Sequence, residues 1–234
     1  MKKSIALLGT TLLTSTTLLG SVGAFADTIQ PDPSTAKTPV TAELTINQTP
    51  EKPVPPTEPG EGGGDQDTGI TGLFGIAYAP QSLSGTKQLG TSGPENVDLT
   101  NNTSEANKFN VGVQDKTRKN DQNWTLKAQL SWDNDTNGYM AGTTITATGG
   151  NVKENKKGEL SNLANGEVTT TASDLTIPQD SEVEVMKSVV GKTMNGVYNY
   201  QFSNPKLAIP DVSKVAEGTY SGNITWNLEN TPSI

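Results

Sequence analysis

Three tryptophans are the residues best suited to contact with a sugar or a protein partner, and they fall in two related stretches. Trp124 and Trp132 bracket WTLKAQLSW, and Trp226 lies within Tyr220 to Pro232, YSGNITWNLENTP. Both stretches contain Trp-x-Leu. An indole face stacks on the apolar side of a pyranose, and it fills a hydrophobic interior equally well. Trp124, Leu126, Trp132, Tyr220, Trp226 and Leu228 are therefore candidates for a binding surface, with core packing as the alternative for each. Trp132, at a strand end beside a polar loop, is the tryptophan expected nearest the solvent.

Carboxylates offer a second chemistry. Asp133, Asp135 and Asn137 in DNDTNG match the opening of a calcium loop, and bound calcium would bridge to an anionic ligand. Thr144 stands where the closing bidentate Glu belongs, and no helix flanks the loop, so an acidic hairpin turn is the plainer reading. A glycosidase pair would have to come from Asp133, Asp135, Asp174, Glu182 or Glu184, and their spacing places no two across a cleft. The chain has no histidine and no cysteine. That removes the commonest general base, zinc chemistry, thiol nucleophiles and disulfides together. No catalytic residue or cofactor is assigned, and the chain is read as a non-enzyme.

The elements that must hold these residues are strands. Trp124, Leu126, Ala128, Leu130 and Trp132 share one parity, as do Tyr220, Gly222, Ile224, Trp226 and Leu228, with polar residues between them. A period of two marks a strand with one apolar and one wet face. Further strands are expected at 73–79, 109–115, 143–148, 168–177, 183–190 and 197–202, with a short helical turn near 102–108 and a charged loop around 153–157. Asn-Gly pairs at Asn137, Asn165 and Asn195 supply turn chemistry. The fold class is all-β, an antiparallel β-sandwich of Ig-like or Greek-key type with a long Pro/Gly-rich loop or tail near the N-terminus.

Lys2 and Lys3, the apolar run 5–19 and Ala24-Phe25-Ala26 predict a signal peptide over 1–26, with export from the cytoplasm. A tail follows over 27–39, then a candidate strand of the domain, Val40–Asn47 (VTAELTIN), alternating within an otherwise Pro-rich tract. Residues 48–69 are read as a linker or long loop, and 70–234 as the main domain. No cysteine follows the leader to carry a lipid, and the C-terminal residues show no sorting signal or apolar tail, so a released or non-covalently held product is expected. Losing Lys2 and Lys3 takes the net charge from −8 to −10. An acidic chain without a basic run suits neither nucleic acid nor an anionic membrane, and direct membrane insertion is not expected. Simple charge attraction to a polyanionic Gram-positive wall is also excluded.

Trp124-Thr125-Leu126 and the motif running from Tyr220 through Ile224-Thr225-Trp226-x-Leu228 to Pro232 resemble the proximal and distal motifs of the WxL domain. VGVQDKTRKNDQNWTLKAQLSW and the order of leader, Pro-rich segment and C-terminal domain resemble that family too. The resemblance implies a surface protein of low-GC Gram-positive bacteria, held non-covalently to peptidoglycan. It also implies assembly with other WxL proteins and a membrane-anchored WxL-interacting protein, and that complex is the alternative means of wall attachment. Larger relatives carry an extra N-terminal module. Nothing before Val40 is expected to fold alone, so this chain resembles a domain-only member.

Overall fold

The computed structural model describes residues 30–57, 64–101 and 108–231. The expected leader and most of the expected helical turn near 102–108 lie outside them. The chain divides into two units, Met1–Leu44 and Thr45–Ile234. The described part of the first unit, 30–44, carries no helix or strand and is exposed throughout.

The second unit is an antiparallel sandwich, as its alternating segments require. Its strands are β1 (Asp65–Asp67), β2 (Phe74–Pro80), β3 (Glu95–Asp98), β4 (Lys108–Asp115), β5 (Trp124–Trp132) and β6 (Thr144–Lys156). Then follow β7 (Glu159–Ser161), β8 (Val168–Thr169), β9 (Leu175–Ile177), β10 (Val183–Ser188), β11 (Gly196–Ile209) and β12 (Gly222–Asn230). One sheet runs β1-β2-β4-β11-β6-β7, with β3 added to β11 and β9 to β6; the other runs β12-β5-β10-β8. Phe109, Val111 and Val113 of β4 with Tyr198, Tyr200 and Phe202 of β11 meet Trp124, Leu126, Ala128 and Leu130 of β5 in one buried cluster. That layer removes the apolar rows of both sheets from water, which is the main favourable term in forming the fold.

Several expected boundaries move. β11 runs past Phe202 to Ile209 because a bulge at 203–206, with Asn204 at φ 51°, carries Pro205 through the strand while its partner changes from β4 to β3. The expected charged loop at 153–157 is mostly strand. β11 pairs with Lys153 and Glu154 and the three-residue β7 with Glu154 to Lys156, so the segment joins the sheet while its long polar side chains still reach water. The tight turn is Lys157-Gly158, with positive φ at both residues, between the paired Lys156 and Glu159. Of the Asn-Gly pairs, Gly138 and Gly166 take positive φ in longer connections, while Gly196 opens β11. Asp65–Asp67, expected as linker, pairs with β2. Val40–Asn47, expected as a strand, is not one, and Val40 and Leu44 are 88% and 91% exposed. Alternation prepares a segment for a ladder, but a neighbouring strand has to supply the hydrogen bonds.

Alternation misleads at one further place. Asn110 and Gln114 of β4 and Asn199 and Gln201 of β11 occupy the polar parity of their strands, yet all four are buried. Asp65 accepts from the Asn110 backbone N–H and Nδ2, and Asn110 Oδ1 accepts from Asn199 and Gln201. Tyr78 donates to Asn199 Oδ1 and accepts from Asn155, which also donates to the Val54 carbonyl. The Tyr78 ring lies where a Cβ on Gly112 would have to sit. This second face of the larger sheet is a polar network in which all but the Gln114 Oε1 of these amides find partners, which is how amides are buried without a large penalty.

Candidate binding surface

The two Trp-x-Leu stretches are neighbours. β5 and β12 pair over the whole length of β12, with Leu126 opposite Leu228, Ala128 opposite Trp226, Trp124 opposite Asn230 and Trp132 opposite Gly222. The match of their apolar parities sets this register, since a one-residue slip would turn one row of large side chains into water.

The structure separates the six sequence candidates. Trp124 and Leu126 are fully buried, so neither is available at the surface of the folded domain. Trp124 Nε1 donates to Asp115 Oδ2 at 3.0 Å, its backbone N–H donates to Ser188 Oγ at 2.8 Å, and its ring packs against Tyr198 at 6.1 Å. The indole thereby ties β5 to the end of β4 in the opposite sheet. Burial pushes the Asp115 carboxyl above the ordinary range, against the lowering effect of donors from Thr117 and Trp124.

Trp132, Trp226 and Leu228 are half-buried and pack on the core from its margin. The Trp226 ring lies 6.4 Å from Phe202. Trp132, expected nearest the solvent, is no more than half-exposed, because its Nε1 donates to Thr143 Oγ1 in a cluster that Gln179 also bonds. Tyr220 precedes β12. Its hydroxyl donates to the Ala216 carbonyl and its ring meets Tyr139 edge-on, so it pins the chain entering the strand.

The calcium-like loop is also committed internally. Both Asp135 oxygens accept backbone N–H groups, from Tyr139 and Met140, and Asp133 accepts from Asn223 Nδ2. Asn134 bonds Thr219 and Ser221, fastening the loop to the start of β12, and Asn137 precedes the turn glycine Gly138. Among the described residues no group of three or more acidic, His or Cys side chains is placed to hold a metal. The carboxylates considered for hydrolysis have partners of their own or face water. Glu182 pairs with Lys127 and Asn227, Glu184 with Lys187, and Asp174 is exposed.

What remains open is the outer face of β5 and β12. Thr125, Lys127, Gln129 and Ser131 lie beside Asn223, Thr225, Asn227 and Glu229. Lys127 is held by Glu229 at 2.6 Å and Glu182 at 3.5 Å, and these carboxylates raise its pKa. The face therefore offers amides and hydroxyls with little free positive charge. Sequence alternation marks this row. A second feature carries no such signal: a cleft of about 400 Å³ where Glu51 and Lys52 meet Lys116, Lys156 and Lys157. It brings residues distant in the sequence together, and Glu51 and Glu154 pair with two of its lysines.

No curated protein and no solved structure matches the chain. A family model described as a WxL domain, surface cell wall-binding, matches residues 31–232. That span includes both Trp-x-Leu strands and nearly every described residue. The chain belongs to the WxL family of surface cell wall-binding domains, which is not an enzyme family.

Proposed function

We propose that the chain is a secreted surface protein that binds Gram-positive peptidoglycan non-covalently through this domain. The extent of the family match carries the reading, because it leaves almost no described residue outside the wall-binding domain. The outer face of β5 and β12 fits the chemistry. Asn223, Thr225, Asn227 and Ser131 present neutral hydrogen-bonding groups to a hydroxyl- and amide-rich polymer. Neutral recognition suits an acidic protein on an anionic wall, where each free carboxylate would otherwise oppose approach. The buried Trp124 and Leu126 hold this face in place and make no contact with the wall.

The acidic balance favours a second reading, in which a membrane-anchored WxL-interacting protein, with other WxL proteins, holds the domain at the wall. Purified sacculi stripped of protein separate the two. Direct binding predicts that the folded chain sediments with them, and that Thr225→Ala, which breaks no side-chain bond among the described residues, weakens sedimentation with little loss of stability. Failure of the folded chain to sediment with bare sacculi would overturn the first reading.

A further inference from the structure

Two unpartnered features of this chain are complementary. Among the described residues β12 is an edge strand whose one strand partner is β5. Asp133 donates to Ser221 O at one end of that ladder and Thr231 donates to Asn123 O at the other, so the odd-numbered residues of β12 bond β5. The N–H and C=O groups of Ile224, Trp226 and Leu228 consequently point away from β5, along the free edge. No described backbone group pairs with them. Their side chains stay half-exposed beside the core because no further strand among the described residues lies alongside. The usual protections of an edge are missing: β12 has no proline, no lysine and no bulge in its nine-residue ladder.

The other feature is Val40–Asn47. It has the alternation of a strand, with Pro39 before it and Pro50 beyond it and no proline inside, and no described backbone group bonds it. Asn47 ends it in a turn with Thr49. We propose that Val40–Asn47 of a second copy adds to β12 as an outer strand. Val40, Ala42, Leu44 and Ile46 would extend the apolar row of Ile224, Trp226 and Leu228, while Thr41, Glu43 and Thr45 continue the polar face. Val40–Asn47 forms no ladder among the described residues of its own chain, and a second copy carries the same unpaired segment. One docked strand is small beside the ~1,600 Å² of a standard stable interface, so reciprocal exchange, two strands per pair of copies, is the persistent form. The inference stands apart from the wall-binding reading, since it needs only the protein in solution.

The test is sedimentation of the purified chain from Asp27 across a concentration series, beside Ala42→Pro, which removes a ladder donor from a segment outside the fold. The expected result is a weight-average mass rising toward twice the monomer for the wild type and staying monomeric for Ala42→Pro. A nitroxide on Thr45→Cys in one copy should broaden the amide signals of β12 in an isotopically labelled second copy. The chain has no other cysteine to label. A wild type that stays monomeric, equal association by Ala42→Pro, or broadening that spares β12 would overturn the proposal.

Discussion

Trp124→Phe tests whether the proximal Trp-x-Leu acts through packing or through contact. Phenylalanine keeps an aromatic ring in the fully buried site but loses the Nε1–H bonded to Asp115 and part of the indole volume. A hydrogen bond to a charged group contributes ~1.5–3 kcal/mol, and the residual cavity adds a fraction of the ~3–5 kcal/mol of a Trp truncation. Together these give a loss of roughly 3–4 kcal/mol, a large share of the ~5–15 kcal/mol that holds a domain folded. Urea unfolding, followed by the remaining Trp132 and Trp226, should show a lower midpoint with an unchanged slope. The loss should also depend on pH. Asp115 has a folded-state pKa raised by burial, so its contribution to stability is present in acid and lost as pH rises through that pKa. Removing the indole donor raises the pKa further, so the deficit of Trp124→Phe should grow from acid toward neutral pH. Wall binding per folded molecule should not change. A variant with wild-type stability that no longer binds sacculi would refute the packing argument.

Other consequences follow from the polar contacts. Burial raises Asp65 from 3.8 to about 6, despite its bonds from Asn110. Its contribution is therefore complete below pH 3.8 and lost as pH rises through about 6, by up to ~3 kcal/mol for the whole shift. Asp65→Asn should flatten stability between pH 4 and 7 in denaturant titrations, and an unchanged slope would count against the burial of this carboxylate. Gly112→Ala puts a methyl group where the Tyr78 ring lies, so a loss of ~1–3 kcal/mol is expected, with faster amide exchange in β2. Asp135→Ala frees two backbone N–H groups and should cost ~1–2 kcal/mol by thermal unfolding. Calorimetry with calcium should give no saturable heat for the wild type, and a saturable heat would restore the calcium loop.

The sequence by itself determined the β class, the two tryptophan strands and the residues that share each face. Period-two alternation is a local property of the chain, and β5 and β12 carry it without interruption. It also contained the family signature, since both motifs lie within short stretches. Only the tertiary structure decided how deeply each face is covered. Trp124 and Trp226 have the same local pattern, yet one is sealed because β5 has a strand on each side, and the other is half-open because β12 is an edge. The same limit explains why Asn110 and Asn199 are buried on a face expected to be wet, and why Val40–Asn47 alternates without forming a strand. Alternation specifies which side chains travel together, while burial and pairing depend on neighbours that arrive from elsewhere in the chain.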